Sequence, residues 1–114
     1  MTHVIMEYEK EIECYDKVLE IDPNDVSAIT NKGVALDKLG RYKEAITCYD
    51  RALEIKPNDV FAITNKGDAL DNLGRYEEAI TCYDKALEIM PNLHGAVYYK
   101  RNAHDIFGKT PRGQ

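Results

Sequence analysis

Cys14, Cys48 and Cys82 are the residues of this chain with the widest range of possible chemistry. Thiolates bind zinc and form disulfides, so three cysteines could build a metal site or a redox pair if their sulfur atoms converged. Their spacing indicates something else. Cys48 follows Cys14 by 34 residues, and Cys82 follows Cys48 by the same interval. The interval also separates three tyrosines: Tyr15, Tyr49 and Tyr83.

The interval of 34 is the period of a tandem repeat. Residues 60–93 match residues 26–59 at 27 of 34 positions. The seven pairs that differ are Ser27 and Phe61, Val34 and Asp68, Lys38 and Asn72, Lys43 and Glu77, Arg51 and Lys85, Lys56 and Met90, and Asp59 and Leu93. A period of this length predicts that each unit is one supersecondary piece.

Each unit shows a helical pattern twice. The first stripe of apolar residues, at three- and four-residue spacings, is Val26, Ile29, Ala35, Leu36 and Leu39. Gly40 is expected to end that helix, because glycine takes the left-handed conformation without penalty. The second stripe, which ends before Pro57, is Tyr42, Ala45, Ile46, Tyr49, Ala52, Leu53 and Ile55. Asn58 and Asp59 suit the cap of the next helix. No segment alternates as a strand does, so the chain is predicted to be all-α.

These units resemble the tetratricopeptide repeat (TPR) family, whose 34-residue units pair an A helix with a B helix. The matching residues are small, or are the closing proline: Gly33 and Gly67, Ala45 and Ala79, Ala52 and Ala86, Pro57 and Pro91. The units depart from the family at two positions. Ile29 and Ile63 replace the usual tryptophan, and Lys32 and Lys66 replace the usual leucine. The resemblance implies an α-α superhelix, a TPR solenoid.

The register extends to both ends of the chain. Residues 1–25 align with the second half of a unit and residues 94–108 with the first half. We therefore expect one TPR domain over residues 1–108 with six helices, as a half repeat, two whole repeats (26–59 and 60–93) and a half repeat, and a flexible tail over residues 109–114. Met1 falls in the middle of a would-be A helix, so the chain is expected to be truncated at its start or part of a longer protein.

The stacked arrangement separates the cysteines. Adjacent packed helices lie about 8 to 10 Å apart, so equivalent B helices place their cysteine backbones roughly 15 to 20 Å apart. A disulfide tolerates a Cα separation of at most about 7 Å. We therefore expect packing cysteines, and no metal site.

The remaining residues give no sign of catalysis. His3, His94 and His104 have no ligand spacing, there is no glycine-rich phosphate loop, and most carboxylates fit helix surfaces as partners of lysines. We expect no enzyme and no cofactor. The composition, 44% apolar and 31% charged, is that of a globular protein. A net charge of −5 argues against nucleic acid. No signal peptide or membrane span is recognised, so a cytoplasmic location is expected.

The resemblance implies that the A helices line a concave groove that holds an extended peptide. The residues carried over to that wall are Ser27, Thr30, Val34, Asp37, Lys38, Phe61, Thr64, Asp68, Asp71, Asn72, Gly95, Tyr98, Asn102, Asp105 and Ile106. Three of the seven differences between the whole units fall on this wall. The units thus differ where a ligand would contact them.

Aspartate recurs along the wall at Asp37, Asp71 and Asp105. One interpretation is a solvated acidic face copied by duplication. The other is a groove that prefers a basic or neutral peptide, with Phe61, Tyr98 and Val34 supplying apolar contact. The lysine, arginine and asparagine clamp with which one TPR subclass binds acidic chaperone tails is absent, since its positions hold residues such as Thr30, Val34, Gly95 and Tyr99.

The half repeats leave a helix face open at each end. Glu11 stands where whole units have alanine, and Arg101 where they have glycine. These charges either cap the ends or pair between two chains in a weak head-to-tail homo-oligomer. The alternative function is therefore structural: self-assembly through the ends, or spacing of domains in a larger protein.

Overall fold

The computed structural model describes residues 2–109, with side chains as far as Ile106. Within this range the chain forms six helices and no strand: α1 (Thr2–Ile21), α2 (Val26–Lys38), α3 (Tyr42–Ile55), α4 (Val60–Asn72), α5 (Tyr76–Ile89) and α6 (His94–Lys109). The prediction of an all-α solenoid is confirmed. In the repeat register, α2, α4 and α6 are A helices, and α1, α3 and α5 are B helices.

The expected start and stop signals set the borders of the A helices. The Asp25 side chain accepts a hydrogen bond from the Ala28 backbone N–H at 3.0 Å, and Asp59 caps α4 in the same way. Gly40 and Gly74 follow the A helices with φ of 77° and 80°. This left-handed conformation suits glycine, and it turns the chain into the B helix.

Each hairpin closes over a glycine. A Cβ atom on Gly33 would lie 2.5 Å from Cε1 of Tyr49, and Gly67 stands in the same relation to Tyr83. Both tyrosine side chains are fully buried, as are Ala45 and its counterpart Ala79. The small residues of the repeat are therefore required because the two helices approach closely around a tyrosine ring.

Consecutive units are joined by a recurring ion pair. Nζ of Lys32 on α2 lies 2.7 Å from Oδ1 of Asp16 on α1, and two further pairs repeat this link along the array, namely Lys66 with Asp50 and Lys100 with Asp84. Lysine in place of the family's usual leucine is thus explained. It exchanges an apolar contact for a pair between one A helix and the B helix before it.

The ends differ from the whole units. α1 is a single helix of 20 residues, whereas α3 and α5 have 14. It begins six residues before Tyr8, the position at which the other B helices start, so residues 2–7 extend α1 and do not form part of an A helix. The predicted tail, residues 109–114, lies outside the described residues apart from Lys109, the last residue of α6.

The cysteines are free thiols in three similar positions. Cys48 and Cys82 are half-buried and pack against the core, and burial raises the pKa of both thiols. Cys14 is exposed, unlike the expected packing residue, because no helix precedes α1 in the described range. The three thiols therefore differ in accessibility although the sequence around them repeats.

Candidate functional site

The three A helices form the inner side of the array. α2 contacts α4 and α4 contacts α6, whereas α1, α3 and α5 make no direct contact with one another within the described residues. Every A helix also packs on its neighbouring B helices. Successive A helices therefore lie closer to one another than successive B helices do. The three A helices therefore share one side of the array, and the surface they form there is here called the groove.

Most residues predicted for the groove are exposed or half-buried. The exposed ones are Ser27, Lys38, Phe61, Asn72, Gly95, Tyr98, Asn102, Asp105 and Ile106. The half-buried ones are Val34, Asp37, Thr64, Asp68 and Asp71. Thr30 alone among them is buried, with 9% of its surface exposed, so it offers almost no surface to a ligand.

Two aromatic side chains stand out from the groove wall. Phe61 and Tyr98 each keep 67% of their surface exposed, more than any other aromatic residue described. The Tyr98 ring packs edge-on against Tyr99, with a centroid distance of 5.5 Å, and Tyr99 stacks on the buried Tyr83 at 6.0 Å. Tyr98 therefore presents a ring face supported from the core, and Phe61 projects from the first turn of α4.

Two groove aspartates are tied to the core. The buried Tyr49 hydroxyl donates a hydrogen bond to Oδ2 of Asp37 at 2.7 Å, and Tyr83 donates to Asp71 at 3.0 Å. The second carboxylate oxygen of each, Oδ1, is buried and has no hydrogen-bond partner. A solvated acidic face is therefore the wrong interpretation for Asp37 and Asp71. It describes only the exposed Asp105, which has no following B helix in the described residues to supply a tyrosine.

The partial burial of these carboxylates raises their proton affinity. Burial raises the pKa of Asp37 from 3.8 to about 6, the Tyr49 hydrogen bond opposes this rise, and the charge of Asp68 adds to it. Burial likewise raises the pKa of Asp68, and of Asp71, where the charge of Asp68 also contributes. Lys38 is the cation that lowers the pKa of Asp37 and Asp68. The groove thus holds three interacting carboxylates against one lysine.

Sequence reasoning did not find the bonds between tyrosine and aspartate. The signal was present, since Asp37 precedes Tyr49 by 12 residues and Asp71 precedes Tyr83 by the same interval. The two residues of each bond lie on different helices of a hairpin, so periodicity within one helix does not connect them. The three ion pairs that join Lys32, Lys66 and Lys100 to the preceding B helices were missed for the same reason.

A metal-binding cluster and a membrane span are both absent from residues 2–109. No group of three or more His, Cys, Asp or Glu side chains in that range is placed to hold a metal ion. No helix there combines the length and apolar character that crossing a bilayer requires. Glu11 and Arg101, predicted as possible association residues, are exposed on α1 and α6, which do not touch within the chain.

Comparisons with solved structures show the same architecture in TPR domains, some of them in complex with a peptide. The first TPR domain of Spaghetti (RPAP3), bound to the HSP90 peptide SRMEEVD, is 26% identical, with a TM-score of 0.87 over 90% of this chain and 82% of that one. The first TPR domain of human RPAP3 is 25% identical, with a TM-score of 0.88 over 94% of this chain and 84% of that one. A comparison with curated proteins gives no match.

The second TPR domain of human RPAP3, in complex with the HSP70 peptide SGPTIEEVD, is 26% identical, with a TM-score of 0.81 over 85% of this chain and 81% of that one. One family model described as tetratricopeptide repeat matches residues 26–59 and 60–93. A second model of the same description matches residues 7–25. The repeat models cover more than half of the chain. The chain therefore belongs to the tetratricopeptide repeat family.

Proposed function

We propose that this protein is a non-enzymatic interaction module whose groove holds an extended peptide of basic or neutral character. Membership of the TPR family supports the general part of this proposal. So do the structurally similar domains, two of which are in complex with chaperone peptides. The charge preference rests on the side chains of this chain.

The observation that carries the preference is the carboxylate group formed by Asp37, Asp68 and Asp71. All three are half-buried, and the charge of Asp68 raises the pKa of the other two. The positive charge of Lys38, on α2, lowers the pKa of Asp37 and Asp68. An ammonium or guanidinium group bound here would lower the repulsion among the carboxylates and donate hydrogen bonds to their accessible oxygen atoms.

The exposed aromatic side chains complete the site. Phe61 lies about two helix turns from Asp68 along α4, and Tyr98 occupies the neighbouring A helix. Aromatic rings offer contact area with little loss of conformational entropy, and they attract cations over their faces. A lysine or arginine side chain suits such a surface, since its aliphatic stem packs on a ring while its charge meets the carboxylates.

The peptides bound by the similar domains are acidic, SRMEEVD and SGPTIEEVD. In this chain the corresponding wall offers Val34, a buried Thr30 and the exposed Gly95 instead of the basic residues of a carboxylate clamp. An acidic peptide would meet the carboxylates of Asp37, Asp68, Asp71 and Asp105 and a single lysine among the predicted wall residues. We therefore expect this groove to reject the ligands of those relatives on electrostatic grounds.

Two peptides of equal length test the preference by fluorescence anisotropy at low ionic strength. The probes are SRMEEVD and its charge-reversed counterpart SRMKKVK. We expect binding of SRMKKVK alone. Replacing Asp68 with valine should weaken that binding at least about tenfold, because a charge-assisted contact contributes about 1.5 to 3 kcal/mol. The variant is expected to fold, since Val34 occupies the same register position in the preceding unit.

Glu88→Val is the matched control, because Glu88 is exposed on the B helix α5, away from the groove. It removes the same charge and should leave the affinity for SRMKKVK unchanged. Micromolar binding of SRMEEVD would contradict the charge preference. An equal loss in both variants would show that net charge alone, and not the groove, attracts the peptide.

A further inference from the structure

α1 and α6, at opposite ends of the array, each have one helix face that no other described residue covers. The α1 face consists of Glu7, Lys10, Glu11, Cys14, Tyr15 and Val18. The α6 face consists of Val97, Lys100, Arg101, His104 and Asp105, bordered by Leu87 of α5. Neither face belongs to the groove proposed above, apart from Asp105 at its edge.

The α1 face has the register of a surface that is fully covered elsewhere in the chain. Glu11, Tyr15 and Val18 correspond to Ala45, Tyr49 and Ala52 of α3 by the repeat interval. Those three α3 residues have no exposed surface, because α2 packs on them. Val18, in contrast, keeps 40% of its surface exposed. The α1 face is thus the B half of a hairpin interface whose A helix is not among the described residues.

The α6 face is the complementary half. Val97, Arg101 and His104 correspond to Ile29, Gly33 and Leu36 of α2, the side on which α3 packs. Val97 keeps 44% of its surface exposed, whereas Ile29 keeps 4%. One chain therefore carries both halves of an interface that it already builds twice internally, between α2 and α3 and between α4 and α5.

The charges on the two faces are complementary. By the internal template, Glu11 meets the side of α6 that carries Arg101 and His104, because Ala45 packs in one cluster with Leu36. Arg101 and Glu11 are both exposed, and neither forms an ion pair or hydrogen bond within the described residues. Val18 meets Val97, as Ala52 meets Ile29 in a shared core cluster. The internal template therefore pairs opposite charges beside an apolar contact.

The side chains also set how close the faces come. A Cβ atom on Gly33 would lie 2.5 Å from the Tyr49 ring, and Arg101 occupies that glycine's register position. Glutamate and valine replace the two alanines on the opposite face. The helices must therefore lie farther apart than α2 and α3, with Tyr15 turned aside. Such a contact between two copies, here called a joint, depends on charge more than on close packing. The affinity between copies should therefore fall as salt is added.

We propose that this protein associates with itself head to tail, the α6 face of one copy covering the α1 face of the next. The two surfaces differ, so the contact is heterologous. Successive copies then extend into an open filament or close into a ring. The continuous array would place the grooves of neighbouring copies side by side along one curved surface.

Sedimentation velocity of the full chain across a range of concentrations, at low and high salt, tests this. We expect the wild-type chain to associate reversibly at low salt and to dissociate as salt is added. Glu11→Arg and Arg101→Glu should each weaken association at least about tenfold, because a like-charge contact replaces an ion pair. A wild-type chain that remains monomeric at high micromolar concentration would overturn the proposal, since the charges would then act only as caps.

A mixture of the two single variants gives the sharpest readout. Every joint in the mixture can pair an arginine with a glutamate, so association should return when the two are combined, and also in the double variant. Failure of both to recover association would contradict the pairing. Glu88→Arg, on an exposed site of α5, is the matched control and should associate like wild type. Asp68→Val should also leave association intact, which separates this proposal from that of the groove.

Discussion

Replacing Asp37 with asparagine should stabilise the fold at neutral pH. The carboxylate is half-buried, its pKa is raised to about 6, and its Oδ1 atom lacks a hydrogen-bond partner. Asparagine has the same shape and retains an oxygen to accept the Tyr49 hydroxyl bond. It removes the charge that burial and Asp68 disfavour. The substitution therefore keeps the observed hydrogen bond and eliminates the cost of ionisation.

The magnitude follows from the change in proton affinity. A pKa of about 6 in place of 3.8 corresponds to an unfavourable ionisation free energy of about 3 kcal/mol. Because Asp37 remains partly exposed, solvent screening reduces the expected gain to about 1 to 2 kcal/mol. The folded chain binds the proton more tightly than the unfolded chain. The wild type therefore has its full stability below about pH 4 and loses this contribution as pH rises through about 6.

Urea denaturation followed by circular dichroism at several values between about pH 4 and pH 8 measures the effect. Other carboxylates titrate in both proteins, so the difference in unfolding free energy isolates Asp37. The difference should be largest at the alkaline end and should close toward about pH 4. Asp105→Asn is the matched control, since Asp105 has the same register but is exposed and has no tyrosine partner in the described residues. It should change stability by less than about 0.5 kcal/mol.

A less stable Asp37→Asn variant at about pH 8 would refute this reasoning. That result would mean that the charged hydrogen bond from Tyr49 outweighs the cost of burial. A gain in stability that persists unchanged at about pH 4 would also contradict it, because the gain would then arise from something other than ionisation.

Three further predictions follow from packing. Gly67→Ala should destabilise the fold by about 1 to 3 kcal/mol in urea denaturation, because the added Cβ atom would lie 2.5 Å from the Tyr83 ring, whereas Gly95→Ala, with 3.9 Å to its nearest side chain, should not. Cys14, the exposed thiol, should react with a thiol reagent well before the other two cysteines, and Cys14→Ser should abolish the fast phase. Deleting residues 94–114 should lower the Tm by more than about 10 °C, because Ala96 and Ala103 are fully buried against α5, and an unchanged Tm would contradict this packing.

The fold was predictable because repetition makes weak signals strong. One apolar stripe ending at Gly40 is ambiguous, but the same stripe ending at Gly74 after an identical interval is not. The small residues of the hairpin were also informative. Their steric reason is visible only in the structure, where a Cβ atom on Gly33 or Gly67 would lie 2.5 Å from a tyrosine ring.

The sequence predicted which residues belong to the candidate site, but it did not predict which of them are buried and hydrogen-bonded. The register placed Asp37 and Asp105 at equivalent points of their A helices, and the apolar pattern of each helix does not show which aspartate is buried. The difference arises because Asp37 has a B helix after it, whose Tyr49 hydroxyl reaches the carboxylate, and Asp105 has none in the described residues. Burial of a groove residue depends on contacts with other helices, so a pattern within one helix does not reveal it.

The cost of the buried carboxylates connects stability to the proposed function. Val34 shows that an apolar residue fits the register position that Asp68 holds in the next unit. The charge at Asp68 is therefore not required by the packing of the repeat. A cation in the groove favours the ionised form of Asp37, so basic peptide should bind more tightly above about pH 6 than below it. Asp37→Asn should then raise stability while it weakens binding of SRMKKVK and flattens its pH dependence between about pH 5 and pH 7. If the variant gains stability and binds as wild type does, the carboxylate serves the tyrosine alone and the ligand contacts other residues.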